Sequence, residues 1–262
     1  MQPILTYFYQ TRQPDSSYAL TNKNLGFTRS HHLVISYDRM LTESVRLKLE
    51  AYHQWLFEVP VDQTPSYFSM LTTGNDFGPV NRGNLVNGGT GRNYGLELTL
   101  EKFFSNNYYF LATILLFNST YRGSDGVERN TPFNNHYVVN LLTGREFRVG
   151  RQGNVLSINW KLTTAGGKYV TPVNRSASAT QHQQVDDYNQ AFSSQKAAYF
   201  RTDLKLGFKI NRRRLTHEYA LDLQNFTGHQ NIFMQAYNPR TNTIGTAYQQ
   251  GFLPIPFYRL TF

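Results

Sequence analysis

The sequence predicts an all-β chain that forms a transmembrane antiparallel up-and-down β-barrel, and three observations predict this fold. Apolar and polar side chains alternate with a period of two along most of the chain, as on strands with one apolar face. The alternating segments run to about 10 to 14 residues, longer than the ~5–6 residues usual in soluble sheets. Short and long connections follow one another strictly, which places every long loop at one end of the sheet.

About nine strands are predicted. The alternation is clearest in four segments, LELTLE, LSINWKL, DLKLGFKI and EYALDLQ, where one face is apolar and the other is polar or charged. The five less regular strands are Leu33 to Tyr37, Val45 to Phe57, Tyr108 to Asn118, Tyr137 to Val149, and Gly251 to Phe262.

The connections carry the second half of the prediction. Four are tight, around Leu41 to Ser44, Ser105 to Asn107, Gly150 to Gly153, and Asn211 to Arg213. The long polar ones are Glu58 to Gly91, Thr120 to Asn134, Thr164 to Ala197, and Phe226 to Gln249, with Met1 to Ser30 as a further loop. A soluble β-sandwich or a lipocalin-like barrel shows the same alternation within its strands and stays as the alternative fold.

Composition excludes several other classes of protein. The longest apolar run, Tyr108 to Phe117, has about half of the ~20 residues that a membrane-spanning helix needs. A content of 40% hydrophobic and 15% aromatic residues indicates a folded chain rather than a disordered one. The absence of cysteine excludes disulfides, thiol nucleophiles and thiolate metal sites. The first ten residues, MQPILTYFYQ, lack the features of a secretory signal, so either the protein is not exported or Met1 is not its true start.

The chain ends in FLPIPFYRLTF, with Tyr258, Leu260 and Phe262 at alternate positions of one strand face. A last strand that ends in Phe resembles the signal read by the outer-membrane barrel assembly machinery. Together with the alternation of loop lengths, this ending favours the membrane barrel over the soluble alternatives.

Three segments look like the C-terminal part of a TonB-dependent outer-membrane receptor. They are GTGRNYGLELTLEKFF (Gly89 to Phe104), YFRTDLKLGFKINRRRLTHEYALDLQNFTGHQNIF (Tyr199 to Phe233) and YQQGFLPIPFYRLTF (Tyr248 to Phe262). The most specific piece is Leu221 to Phe233, which is followed by a loop and the closing strand. Members of this family resemble one another in a 22-stranded barrel that an N-terminal plug closes, with a TonB-binding segment ahead of the plug.

The resemblance implies that residues 1–262 are a single partial barrel domain, the last nine strands of a larger barrel. Residues 1–30 are expected to be an extracellular loop, residues 31–262 hold the strands, and the plug is absent. Phe262 then lies at the periplasmic end. Such a piece leaves two unpaired sheet edges, which are costly in hydrocarbon, so we expect the isolated chain to be unstable or to aggregate.

The implied function is energised uptake of a scarce nutrient across the outer membrane: an iron chelate, cobalamin, an oligosaccharide or a peptide. The implied partners are outer-membrane lipid, the barrel assembly machinery, a small-molecule, glycan or peptide ligand, a surface lipoprotein, and TonB through the missing plug only. Neither a cofactor, nor a nucleic acid, nor a catalytic residue is expected. A passive or structural barrel, porin-like or adhesin-like, is the alternative. A barrel protease that uses Asp125, His136, Asp186 and His182 is a weaker one.

Substrate capture is expected in the long loops, where aromatic rings can stack on sugar or chelator rings and arginine can pair with carboxylate or phosphate. The candidate residues are Tyr67, Phe68, Phe77, Asn81, Arg82, Tyr121, Arg122, Asp125, Tyr237 and Arg240. No metal site is expected, because His31 and His32 point to opposite faces of a strand and the other histidines lack ligand spacing.

The net charge of +9 raises the question of nucleic-acid binding. The Arg212-Arg213-Arg214 run lies in a tight turn without an aromatic platform, which favours a solvated turn instead. The four tight-turn neighbourhoods, residues 38–48, 101–107, 145–151 and 209–214, carry +1, 0, +2 and +4, so they account for +7 of the total. The sequence therefore predicts a basic rim at the short-turn end, which faces the periplasm in this interpretation.

Overall fold

The computed structural model describes residues 4–74 and 80–262, and one antiparallel sheet of nine long strands dominates it. Each strand pairs with its neighbours in sequence, so the sheet is an uninterrupted up-and-down meander. The strands are β1 (Arg29–Thr42), β2 (Val45–Asp62), β3 (Leu85–Ser105), β4 (Tyr108–Arg122), β5 (Tyr137–Val149), β6 (Asn154–Ala165), β7 (Tyr199–Asn211), β8 (Thr216–Gln224) and β9 (Leu253–Thr261). The predicted fold class, a segment of an antiparallel β-barrel, is confirmed.

The pairing register separates the two faces of the sheet as the alternation predicts. Leu206 lies opposite Ile158 on β6 and Leu221 on β8, and these three side chains share the apolar face. Their neighbours on the same strands, such as Lys205 and Asp222, share the polar face. In a membrane barrel the apolar face meets lipid and the polar face lines the lumen, so we call them the outward and the luminal face.

Aromatic side chains mark both ends of the outward face. Near the long loops, the ring of His53 lies between those of Trp55 and Tyr94, with centroids 3.8 and 5.7 Å away. Near the short turns, Tyr219 and Tyr258 pack with centroids 5.1 Å apart. Such paired belts are typical of barrel walls at the two membrane interfaces.

The long loops and the short turns lie at opposite ends of the strands. The turns fall at 43–44, 106–107, 150–153 and 212–215. In the turn at 106–107, Asn106 and Asn107 both have positive φ angles, 52° and 63°, as a tight two-residue hairpin turn requires. The long connections are loop 1 (residues 63–84), loop 2 (123–136), loop 3 (166–198) and loop 4 (225–252).

The structure differs from the predicted element bounds at the loop end. Strand β2 continues past Phe57 and strand β3 begins before Gly91, so loop 1 is shorter than the predicted Glu58 to Gly91 connection. Strand β1 runs over 14 residues, well beyond the predicted core of Leu33 to Tyr37. At the end of β2 the consecutive residues Val59, Pro60 and Val61 are all buried, so apolar residues no longer need to share one face there. Strand β1, by contrast, is exposed along its whole length.

The loops also hold short elements of their own. The segment before β1 contains an α-helix and a small hairpin, and loops 1 to 4 contain short helices and strand pairs. These elements are Ile4–Tyr7, Thr11–Arg12 with Tyr18–Ala19, the 3₁₀ turn Met70–Thr72, Glu128–Asn130, Tyr169–Val170 with Ser194–Gln195, the α-helix Arg175–Gln181, the 3₁₀ turn Tyr188–Gln190, and Ile232–Asn238 with Thr243–Tyr248.

The main buried apolar cluster lies under the loops and not in the middle of the sheet. Val59, Phe68, Met70 and Leu85 form it, with Leu25, Leu56, Leu71 and Val80 packed against it. A single sheet has no second layer, so side chains become fully buried only where loops fold back over it.

The sheet is open: within the described residues, the outer edges of β1 and β9 pair with no other strand. None of the helices found in residues 4–74 and 80–262 has the length and apolar character needed to cross a bilayer.

Candidate ligand-binding surface

Loops 1 to 4 contact one another and form a single structure at one end of the sheet, which we call the loop surface. Loops 1 and 2 are joined by backbone and side-chain bonds: the Ser66 amide donates to Ser124 Oγ at 3.0 Å, and the Asp125 amide donates to the Ser66 carbonyl at 3.3 Å. Loops 3 and 4 are joined where the Tyr237 amide donates to Gln184 Oε1 at 3.0 Å. The loop surface is therefore held by direct bonds between its parts.

Arg82 contacts two other predicted loop residues, Tyr67 and Phe68, so the three form one group. Its guanidinium lies 3.3 Å from Asp62 Oδ2, donates to the Tyr67 hydroxyl at 3.3 Å, and stacks 4.8 Å from the centre of the Phe68 ring. Ser66 Oγ donates to the same carboxylate oxygen at 2.6 Å. Because 42% of the Arg82 side chain is exposed, it can still reach an anionic group of a ligand.

Two aromatic contacts join loop 3 to the neighbouring elements, one to Tyr67 of this group and one to Tyr121 at the end of β4. The rings of Tyr67 and Tyr188 are stacked with centroids 4.4 Å apart and planes at 4°. Phe192 packs edge-on against Tyr121, with centroids 6.1 Å apart. Burial raises the pKa of Tyr67 far above its ordinary value, with a smaller contribution from Tyr188, so its hydroxyl remains protonated and can donate a hydrogen bond.

Asp125 and Arg129 form the best-shielded ion pair of the loop surface. Two bonds of 2.9 and 2.7 Å join the guanidinium to the two carboxylate oxygens, and the side chains are 10% and 21% exposed for Arg129 and Asp125. The hydrogen bond from Arg129 holds the pKa of Asp125 below its ordinary range. This geometry assigns Asp125 a structural contact within loop 2 and leaves its carboxylate little free for a substrate.

The remaining predicted residues occupy separate positions. Arg122 lies 3.2 Å from Glu128, which also approaches Arg92 at 3.7 Å, so these three exposed side chains form a charged row beside loop 2. Tyr237 is buried in the loop 4 hairpin and donates to Asn242 Oδ1 at 2.9 Å, whereas Arg240 is exposed at the tip. Asn81 is exposed in loop 1. Phe77 lies outside the described residues.

A luminal cleft lies directly beneath loops 1 and 2, and the sequence reasoning did not single out its residues. Its volume is about 540 Å³. Leu71 of loop 1 and Phe133 of loop 2 are among its lining residues. Its wall is formed by the luminal residues His32, Val34, Glu50, Tyr52, Gln54, Leu56, Asn93, Glu97, Phe117 and Ser119, with Thr120 of β4 and Thr131 of loop 2.

Neutral polar side chains of this cleft are bonded to one another. Asn93 Nδ2 donates to Gln54 Oε1 at 2.9 Å, Ser119 Oγ donates to Asn93 Oδ1 at 2.7 Å, and Thr131 Oγ1 donates to Ser119 at 2.9 Å. The period-two pattern places Gln54, Asn93 and Ser119 on the polar face, and this pattern is the signal that could have identified them.

The histidine and carboxylate groups do not assemble a metal site in the part of the chain that the structure describes. His31 and His32 lie on opposite faces, as expected, because their strand partners Trp55 and Gln54 do. Of the residues weighed for a protease, His136 shares a hydrogen bond of 3.1 Å with the Tyr169 hydroxyl, and Asp125 is held by Arg129.

Comparison with known proteins adds one observation to this geometry. No protein-family model matches the chain, and no curated protein matches it. Among the solved structures that match is the closed form of the ferric-catecholate import receptor Fiu from Escherichia coli K12, with a TM-score of 0.55 and 13% sequence identity. The match covers 88% of this chain and 28% of the receptor.

The chain has the fold of a segment of a receptor barrel. At 13% identity the likeness to Fiu extends to the fold alone, and the chain spans only 28% of the length of that receptor. The agreement covers the feature that the sequence resemblance also implied, a run of consecutive antiparallel strands with long loops at one end.

Proposed function

We propose that the chain forms the last strands of a TonB-dependent receptor barrel that imports a scarce nutrient across the outer membrane. The observation that carries the proposal is the nine-strand meander with all long loops at one end and a fold like that of an import receptor. The open edges at β1 and β9 support a partial barrel, because hydrocarbon does not tolerate unpaired strand edges.

The loop surface would capture the ligand and the lumen would conduct it. Arg82 provides a partly exposed cation next to the Tyr67 hydroxyl, above the buried Phe68 ring, which suits the carboxylate or phosphate groups of chelates and glycans. The cleft beneath them offers neutral hydrogen-bonding groups and the Phe117 and Phe133 rings. A ligand released by the loops would meet this cleft next, and no covalent step is part of the proposal.

The proposed partners act on other parts of the molecule. The barrel assembly machinery would read the last strand, where Tyr258 and Leu260 share the outward face and Phe262 is 91% exposed after the strand's final residue. This assignment places the C-terminus in the periplasm and the loops outside the cell. TonB would act through a plug that these 262 residues do not include, and a surface lipoprotein could contact the loops.

The proposal is tested by growth of a deletion strain on a panel of iron chelates, cobalamin, oligosaccharides and peptides as limiting nutrients. We expect the strain to lose growth on one of them, and growth to return with the wild-type gene but not with Arg82→Gln. Lys23→Gln, an exposed cation without a described ion pair, is the matched control and should restore growth. Uptake that persists after the proton gradient is collapsed would instead indicate a passive barrel.

The partial-barrel interpretation has its own test. We expect the 262-residue chain, refolded alone in detergent, to give no heat-modifiable and protease-resistant monomer, because each unpaired backbone group in an apolar medium costs several kcal/mol. A resistant monomer that migrates faster before boiling would show that β1 and β9 can close on each other, and would overturn this interpretation.

A further inference from the structure

The tight turns that join β5 to β6 and β7 to β8 form one positively charged surface. Asn211 Nδ2 donates to the Gly153 carbonyl at 2.7 Å, and the Asn211 amide donates to Asn154 Oδ1 at 3.0 Å. A further bond joins Arg212 to Gln152. These bonds join the turn that contains Arg151 to the turn that contains the Arg212-Arg213-Arg214 run.

The four arginines, which we call the arginine patch, have no acidic residue within three positions of them in the sequence. All four are exposed, and the segments 147–156 and 204–217 contain no Asp or Glu. No ion pair of residues 4–74 and 80–262 includes any of them. Their charge is therefore not neutralised within the described protein, and it attracts anions from outside.

An apolar groove of about 520 Å³ lies on the outward face of the same strands. Its outward side chains include Leu156, Leu206, Tyr219, Leu221, Pro256 and Tyr258. The groove crosses β6 to β9, so it is continuous with the strands that end in the arginine patch.

The distance between the groove and the patch matches the depth of an acyl chain below its headgroup. Phe208, at the near end of the groove, precedes Arg212 by four residues, about 13 Å along the strand. Leu206 precedes it by six residues, about 20 Å. A strand tilt of about 45° reduces these separations to roughly 9 and 14 Å along the membrane normal, within the ~15 Å half-thickness of the hydrocarbon core.

We propose that this surface is a binding site for an anionic phospholipid in the leaflet at the short-turn end. The arginine patch would hold the headgroup phosphate and the groove would hold an acyl chain. An anionic lipid fits better than a zwitterionic one because these four guanidinium groups form no ion pair with the described residues and give the surface a net positive charge. The nearest carboxylates in the sequence and the strand register are those of Glu146, Glu218 and the C-terminal Phe262. The inference rests on the proposed membrane location of the sheet.

A tryptophan introduced as Phe208→Trp provides a local probe of lipid contact. Phe208 lies on the outward face at the near end of the groove, about 9 Å along the membrane normal from Arg212. The wild-type and variant proteins, extracted from the outer membrane, would be reconstituted into vesicles that contain brominated phosphatidylglycerol or brominated phosphatidylcholine at equal mole fraction. The signal of the introduced tryptophan is the difference in fluorescence between the Phe208→Trp variant and the wild-type protein.

We expect brominated phosphatidylglycerol to compete for contact with the introduced tryptophan about tenfold better than brominated phosphatidylcholine, with a smaller preference at high salt. The triple variant Arg212→Gln, Arg213→Gln, Arg214→Gln should lose the preference. The matched triple variant Lys23→Gln, Lys168→Gln, Arg175→Gln removes the same charge at the loop end and should keep it.

The outcomes separate this inference from the proposed function. Equal quenching by the two lipids, or a preference that survives the arginine variant, would overturn the lipid site while leaving the membrane barrel intact. Absence of quenching by either lipid would place position 208 outside the bilayer and overturn the proposed function as well. Loss of the preference on adding millimolar inorganic phosphate would assign the patch to free phosphate and contradict the lipid site.

Discussion

The two ends of the sheet differ in how they use positive charge. At the loop end, Arg82, Arg122 and Arg129 each lie within 3.3 Å of a carboxylate. At the short-turn end, Arg151 and the Arg212-Arg213-Arg214 run have no ion pair among the described residues. These loop-end arginines therefore fix the shape of the loops, whereas the arginine patch at the turn end presents its charge to the surroundings. Other turn-end arginines form ion pairs: Arg46 with Asp38, and Arg259 with Glu218. Four predictions test this contrast, beginning with the largest expected effect.

Removal of the Tyr121 ring should damage the loop surface most. Tyr121 is 1% exposed, packs against Phe192 of loop 3, and its hydroxyl has no hydrogen-bond partner among residues 4–74 and 80–262. We expect Tyr121→Ala to destabilise the loop surface by about 3–5 kcal/mol, measured as faster hydrogen exchange in loops 2 and 3. Tyr121→Phe keeps the ring and should be neutral or slightly stabilising. A large loss of stability in Tyr121→Phe would show that the hydroxyl does form a stabilising hydrogen bond.

Breaking the Asp125–Arg129 pair should have the next largest effect. Removal of one partner leaves a shielded charge without compensation, so Arg129→Met is expected to cost about 2–4 kcal/mol in the local stability of loop 2. The measurement is the rate of proteolysis within residues 123–136. Arg151→Met at the turn end removes a cation without an ion pair and should leave that rate unchanged. Equal rates in the two variants would show that the two ends do not differ as described.

Lys102, also at the turn end, differs from the arginine patch because its ammonium group bonds within the protein. It is 5% exposed, donates to the carbonyls of Phe103, Ser105 and Tyr108 and to Ser105 Oγ, and lies 3.8 Å from the Tyr108 ring centre. We expect Lys102→Met to cost about 1–3 kcal/mol, since those oxygens lose a charged donor. Urea unfolding measures it.

The exposed Arg39 on β1 is the control for Lys102, because it has the same charge and no ion pair among residues 4–74 and 80–262. Arg39→Met should change the unfolding midpoint very little. A shift as large as that of Lys102→Met would mean that charge alone, and not the bonds around Lys102, sets the stability of this end.

The smallest effect should come from acid. The hydrogen bond from Arg129 lowers the pKa of Asp125 from its ordinary value of 3.8 in the folded protein. The stabilisation is therefore fully present above that value and is lost as the pH falls through the folded pKa. We expect loop 2 to resist proteolysis by an acid-stable protease equally at neutral and mildly acidic pH and to open below it. In Arg129→Gln this pH dependence should flatten, and an unchanged profile would refute the assignment.

The barrel segment was predictable from the sequence because a strand with one outward face imposes its period on every residue. Leu204 to Ile210 shows this well: each side chain has the face that its position dictates, and the structure confirms it. The bounds of β2 and β3 were not predictable near the loops, since Val59 and Val61 are buried there by loop residues distant in sequence.

The candidate site was predictable only in part. Residue type alone identified Arg82, Tyr67 and Phe68, which the structure brings together. It did not show that Asp125 is committed to Arg129, because an ion pair within one loop depends on the path of that loop. The luminal cleft was missed because no single strand contains it and its residues converge only through the register of β1 to β4.

The pairing of every long strand with its sequence neighbours alone has an evolutionary consequence. When a hairpin, two strands with the turn between them, is gained or lost as a unit, the loops and turns of all other strands stay at the same ends of the sheet. Gain of a single strand would instead exchange the ends at which all later loops and turns lie. Recombination between genes for such sheets should therefore succeed when its crossover points fall within loops 1 to 4, in steps of two strands.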